Sequence, residues 1–456
     1  MLLQRLSIYI LVLLLTALLP AQEFTFEVKT NKEDAIYSKG EDIVFSLRLL
    51  KDTQAVAGRT ISYNLVGDGN LRENGTFISS KTPYTVQSKL DFPGWVYIRC
   101  VLLDDDGKPV KFINQRNREE EISGSIGAMV DPYEIKAAGE EPADFDAFWQ
   151  RARAELSTVP LEAKLEPMSR GANDDGKLSC YDIKIPCPGG MPVSGYLVKP
   201  SGAKPKSLPA LISYHGAGVR SAVLSTALSY ARRGFIAMDV NAHGIENGQP
   251  PEFYTALSNN ELKDYRSRDK DDPEKFYFRG MYQRVMRSLE YIKTCPEWDG
   301  KTLVVIGGSQ GGAQSLVAAA LDPQVTLCLA GVPAMSEHSG PLAQPPRQAG
   351  WPRLYRANAQ GKPDNEKVCR TAAYFDNIYF AKRIKADCFL STGFVDTTCP
   401  PTGVFAVFNN LPQGIRKEIT LTPAAGHGAP NTKGDAYLKK LGESLQKKAA
   451  APRRRR

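Results

Sequence analysis

Ser309 lies in the run VVIGGSQGG, residues 304–312. Gly307, Ser309 and Gly311 fit the Gly-x-Ser-x-Gly pattern of a sharp strand-to-helix turn that lifts a serine hydroxyl clear of a sheet. The flanks suit such a turn. Residues 303–306 are apolar and strand-like, and residues 313–321 form a run of small and apolar residues of helical length. The glycines leave room for the turn and for close packing of strand on helix. Without catalytic partners, the same loop would be structural or would cradle a phosphate-type anion.

A serine hydroxyl is a poor nucleophile until a base takes its proton. The chain has four histidines: His215, His243, His338 and His427. In elbows of this kind the order along the chain is Ser, then acid, then His, which leaves His338 and His427. His338 follows the strand expected over 328–332 by six residues, too closely for an acid-bearing strand to intervene. His427, in Ala425-Gly426-His427-Gly428 after the alternating stretch 418–421, is therefore the expected base. Asp396 follows the carboxyl end of the strand expected over 388–392 and is the expected acid, orienting the His427 imidazolium. Its other reading is a cap before Thr397-Thr398. Asp387 opens that strand and belongs at the opposite end of the sheet. Charge developing on a substrate carbonyl oxygen needs preorganised donors. The backbone N–H of Gln310 is one. The N–H of Ala217, in the loop His215-Gly216-Ala217, is expected to be the second, with His215 itself structural.

The elements that must hold these residues are legible around them. From Cys180 onward, near-continuous apolar strands (209–214, 235–240, 303–306, 328–332, 388–392) alternate with helical stretches, which implies a parallel sheet covered on both faces. Two long inserts, residues 244–275 and 336–365, interrupt the alternation where ligand sites are commonly shaped. An amphipathic helix is expected over 144–156, after the boundary-like Gly139-Glu140-Glu141-Pro142. Before it, residues 23–130 read as all-β. Strands are expected over 24–28, 43–49, 61–65, 84–92 and 95–102, separated by turns such as Gly67-Asp68-Gly69 and Asn74-Gly75. The fold class is thus α/β, an α/β-hydrolase fold (136–445) preceded by a small immunoglobulin-like β-sandwich (22–135). No cluster in the sandwich looks catalytic. Its expected role is to pack against or orient the main domain, with carbohydrate binding as the sharper alternative.

Residues 1–21 read as a secretory leader: Arg5, an apolar stretch to Leu19, then Pro20-Ala21. That stretch is shorter than the ~20 apolar residues a membrane span needs, so no stable span is expected. The expected location is exported, periplasmic or secreted. The formal charge of +8 rests largely on Arg5 and Arg453 to Arg456; without them 53 basic residues face 50 acidic ones. No basic stripe marks a folded face, so no nucleic-acid partner is expected, and residues 446–456 read as a solvated basic tail. Eight cysteines permit disulfides without requiring them. Cys180 and Cys187 bracket a strand advancing ~3.3 Å per residue, too extended to bridge. No Cys-x-x-Cys or Cys/His cluster suggests a zinc site.

Taken in order, YHG at 214–216, GGSQGG at 307–312, GVP at 331–333, RTAAYFD at 370–376 and VDTTCPPTGVFAVFN at 395–409 resemble carbohydrate esterase family 7, the acetyl xylan esterases and cephalosporin C deacetylases. The similarity runs from about residue 144 to 441 and leaves the sandwich outside. It implies a Ser309, Asp396 and His427 triad removing acetyl groups from sugars without metal or cofactor, on acetylated oligosaccharide or polysaccharide substrates. The family's ring-like hexamers also imply a homo-oligomer. Three departures stand out: His243-Gly244-Ile245 where the family has Arg-Gly-Gln, Ala217 where it has Tyr, and Gly428 where an acidic residue follows the histidine. A prolyl-oligopeptidase-like peptidase shares the serine motif, but no propeller-length repeat is present. A non-catalytic carbohydrate-adhesion protein with a hydrolase fold is the remaining alternative, and a complete triad argues against it.

Overall fold

The computed structural model describes residues 24–114, 117–169, 175–428, 437 and 439–443. The leader expected over 1–21 and the tail expected over 446–456 lie outside the described residues. No helix among the described residues is long and apolar enough to cross a membrane.

Two sheets build the N-terminal region. In the first, β3 (Ile43–Lys51) pairs with β1 (Phe24–Thr30) on one edge, and with β4 (Gln54–Ala55) and β7 (Tyr84–Ser88) on the other. The second runs β2 (Ile36–Tyr37), β11 (Ser123–Val130), β8 (Gly94–Leu102), β5 (Thr60–Gly67), β6 (Arg72–Ile78). β2 lies parallel to β11 and the other neighbours are antiparallel. A separate hairpin joins β9 (Lys111–Ile113) to β10 (Glu119–Glu121). Ile43, Phe45, Leu47 and Leu49 alternate inward along β3, the period-2 signature of a half-buried strand. Between the sheets, Gly124 of β11 lies under Phe26 and Val28 of β1, where a Cβ would come within 2.4 Å of the Phe26 Cβ. The strand expected to reach residue 92 ends at Ser88, and Leu90 is buried from the following loop.

The second region is a nine-stranded sheet ordered β12 (Lys164–Pro167), β13 (Leu178–Ile185), β14 (Val193–Pro200), β16 (Ile236–Val240), β15 (Leu208–Tyr214), β17 (Trp298–Gly308), β18 (Leu327–Gly331), β19 (Asp387–Gly393), β20 (Lys417–Thr422). From β16 to β20 all pairings are parallel. The expectation of a parallel sheet needs one correction: β12, β13 and β14 are antiparallel. The link from β13 to β14 is a short turn through Pro188-Gly189-Gly190, and only an antiparallel partner is reachable across so short a turn.

Helices cover both faces. Side chains of α1 (Phe145–Ser157), α4 (Tyr277–Ile292), α5 (Gln310–Leu321), α6 (Glu366–Tyr374), α7 (Asn377–Ala381) and α8 (Pro401–Asn410) share one core cluster with Leu303 and Val305 of β17. Residues of α2 (Leu224–Ala231), with Tyr437 and Leu441, pack on the opposite side with Val304 and Ile306. The first cluster continues without a break into the sandwich through Trp95, Ile98, Met129 and Val130. The first insert carries α3 (Pro251–Asn259). No disulfide joins the cysteines of the described residues.

Candidate active site

β17 ends at Gly308 and α5 begins at Gln310, so Ser309 alone makes the turn. Its backbone has φ 58° and ψ −124°, a conformation that costs a non-glycine residue about 1–3 kcal/mol. Three backbone hydrogen bonds hold it there. Ser309 N–H donates to Gly331 O at 2.9 Å, and its carbonyl accepts from Ala313 and Ala334, both at 3.0 Å. Gly311 is required by close approach, since a Cβ there would stand 2.2 Å from the Tyr214 carbonyl oxygen.

The elbow presents the Ser309 hydroxyl to His427, with Oγ and Nε2 2.9 Å apart. The other ring nitrogen, Nδ1, lies 2.8 Å from Asp396 Oδ2. With the proton on Nδ1, the imidazole donates to the carboxylate and accepts from the serine, so the three sequence-predicted residues form one hydrogen-bonded line. Asp396 is fully buried, and its other oxygen accepts the N–H groups of Thr398 and Cys399 at 2.8 and 2.9 Å. The two readings of this aspartate, turn cap and partner of the histidine, therefore hold together, one on each oxygen.

The loops bearing acid and base are also tied to each other. Phe394 N–H donates to Thr422 O and Val395 N–H to Ala425 O, each at 3.1 Å. Cys399 lies near enough to Asp396 and His427 for the three to outline a metal-sized cluster. The same atoms are already engaged in the triad and its turn. Asp396 Oδ2 faces His427 and Oδ1 accepts two backbone N–H groups, while burial raises the Cys399 thiol well above its usual range.

Gln310 opens α5, where a helix's first N–H groups lack intrahelical partners. The loop of Ala217 runs beside the elbow: at Gly216 a Cβ would lie 3.7 Å from the Ser309 Cβ. Two residues that sequence reasoning missed hold this loop. Asp239, buried on β16, accepts from His215 Nε2 at 2.5 Å and from Val223 N–H at 2.7 Å, fixing both ends. Tyr265, from the first insert, accepts the Gly218 N–H at 3.4 Å and donates to Gln310 Oε1 at 3.2 Å. A buried aspartate inside an apolar strand was a visible signal for the first. Nothing in the polar insert marked the second.

The remaining two histidines, His243 and His338, are buried. His243 bonds Tyr277 Oη through Nδ1 at 2.8 Å, and burial pushes its pKa down to about 3. His338 is buried and pushed to about 4 by the same cause. The His243 ring packs against Tyr265 and Tyr277 with centroids 4.6 and 5.8 Å away, and Arg284 of α4 donates to the Ala242 carbonyl at 3.0 Å. Gly428 is exposed beside His427.

The chain is similar to known proteins over most of the nine-stranded region. The sequence model of the family described as Acetyl xylan esterase (AXE1) matches residues 129–440. The acetyl esterase Axe7A of Xylanibacter ruminicola is 34% identical over 301 residues, 65% of this chain and 66% of that protein's length. The solved acetyl xylan esterase from Paenibacillus sp. R4 is 27% identical with a TM-score of 0.56, covering 70% of this chain and 98% of its own. Acetyl xylan esterase 1 from Thermoanaerobacterium sp. JW/SL YS485 is also 27% identical, with a TM-score of 0.54 and coverage of 69% and 97%.

Proposed function

Because the chain belongs to the acetyl xylan esterase family, we propose that it is a serine esterase removing acetyl groups from acetylated carbohydrates such as xylan-derived oligosaccharides, acting after export. The observation that carries this reading is the line Ser309 Oγ, His427 Nε2 and Nδ1, Asp396 Oδ2, with spacings of 2.9 and 2.8 Å.

In this reading His427 Nε2 takes the hydroxyl proton as Ser309 Oγ bonds to the acetyl carbonyl carbon. The imidazolium, held by Asp396, returns the proton to the sugar oxygen as the ester bond breaks. Water, deprotonated by the same nitrogen, attacks the acetyl-serine, and acetate leaves as Ser309 regains its proton. The N–H groups of Gln310 and Ala217 face the carbonyl oxygen as its charge develops. None of these steps uses a metal or cofactor.

The test is hydrolysis of p-nitrophenyl acetate, acetate release from acetylated xylo-oligosaccharides and cleavage of a peptide nitroanilide, by wild type and Ser309→Ala. The reading expects both esters to be cleaved, the peptide to be spared and the substitution to abolish turnover. Ester activity that survives Ser309→Ala removes the serine assignment. Peptide cleavage without ester cleavage moves the enzyme to the peptidase class.

A further inference from the structure

Both loops that carry the acid and the base are held from outside the family-matched segment. The Trp95 indole N–H on β8 donates to the carbonyl of Phe394, two residues before Asp396, at 2.6 Å. The backbone N–H of Gly127 on β11 donates to Pro423 O at 2.9 Å, in the loop leading to His427. Both residues precede residue 129, where the family match begins.

The fit is built into the sandwich. Among the described residues β2 pairs with Met129 and Val130 of β11 and no other strand lines that outer edge, which the hydrolase loops meet at Gly127. At Gly127 the two backbones come so close that a Cβ would lie 2.0 Å from the Phe394 carbonyl oxygen. Trp95 is fully buried and stacks on Tyr97 with ring centroids 5.0 Å apart. Its backbone is pinned to Asp68, whose Oδ2 accepts the Trp95 N–H at 3.0 Å and whose N–H donates to Trp95 O at 2.8 Å. Asn409 of α8, the helix that follows the acid loop, donates from Nδ2 to Pro132 O and Ile135 O of the connector, each at 2.9 Å.

We propose that the β-sandwich is a working part of the catalytic machinery, with Trp95 and Gly127 as positioning residues that set Asp396 and His427 through their loops. This rests on the triad reading above. Small displacements of a general base cost large factors in rate while leaving substrate binding intact.

The full-length chain is tested as Trp95→Phe, which keeps a ring and removes the donor, and as Tyr97→Ala, which loosens the ring from a half-buried position. Trp149→Phe is the control. It removes a comparable indole bond, to Tyr374 O at 3.1 Å, remote from both loops. Turnover is counted per serine titrated with an organophosphate, so unfolded protein drops out. The expectation for Trp95→Phe is a kcat about tenfold lower, with KM within about twofold, and a weakened downfield proton resonance from the His427–Asp396 bond. Tyr97→Ala should lose less in the same direction, and Trp149→Phe should keep wild-type kcat. If Trp95→Phe yields no folded protein, Tyr97→Ala decides. Unchanged kcat and resonance per titrated site in the variants that fold overturns the proposal. Activity retained by Ser309→Ala would instead overturn the triad reading beneath it.

Discussion

His215 and Asp239 form a buried 2.5 Å pair beside the nucleophile elbow, joining the loop after β15 to the neighbouring strand β16. The same Asp239 oxygen accepts the Val223 N–H, so one carboxylate braces the whole segment from His215 to Val223. Asp239→Asn should lower stability by about 1–3 kcal/mol, because it takes the carboxylate acceptor from two buried hydrogen bonds. It should also lower kcat by more than KM changes, because the Ala217 N–H loses its frame. Thermal unfolding and steady-state kinetics on p-nitrophenyl acetate measure both. Full activity in the variant would show that the loop does not depend on the pair.

Asp396→Asn separates the two duties of that side chain. An asparagine oxygen can still accept from Thr398 and Cys399, so the turn and the melting temperature should survive. Its amide would then face His427 Nδ1 with N–H groups, favouring the wrong tautomer. A fall in kcat of about 10³- to 10⁴-fold at nearly constant KM is expected.

Tyr265→Phe removes the hydroxyl between Gly218 N–H and Gln310 Oε1. Both proposed oxyanion donors are neighbours of those atoms, so kcat should drop severalfold, a fraction of the about 10²-fold or more that loss of a donor itself costs. A KM effect alone would instead place Tyr265 in substrate binding.

Asp68 gives the domain junction a pH dependence. Burial raises its carboxyl from 3.8 to about 7, against the opposing pull of Arg347. The folded protein therefore holds this proton more tightly than the unfolded chain. The stabilisation is complete below about pH 4 and is lost as pH rises toward 7, with a slope of about 1.4 kcal/mol per pH unit between those values. Asp68→Asn should flatten that slope. Urea unfolding at pH 5 and pH 7.5 compares the two proteins, and parallel slopes would contradict the assignment.

The triad was readable because each member belongs to a local pattern: an elbow between strand and helix, an aspartate past a strand end, a histidine in a glycine-flanked loop. The parallel strands were readable because burial on both faces makes them apolar throughout. β11 was not, since Ser-Gly-Ser-Ile-Gly-Ala-Met-Val lacks the bulk that marks strands. Its glycines answer to contacts with Phe26 and Phe394, which are set by tertiary packing. For the same reason Tyr265 looked like one more residue of a charged insert. The strand between Cys180 and Cys187 was readable as β13, but its antiparallel pairing with β12 and β14 was masked by the dominant strand-helix rhythm.

The hydrogen bond from Trp95 to Phe394 spans 299 positions of sequence, and this orders events in time. During synthesis the sandwich can close while the acid and base loops are still unmade, because domains fold as units from the N-terminus. The active enzyme is then the product of a late docking step between two finished surfaces. On refolding from denaturant, secondary structure should therefore recover before esterase activity, with the buried Trp95 environment returning in step with the activity.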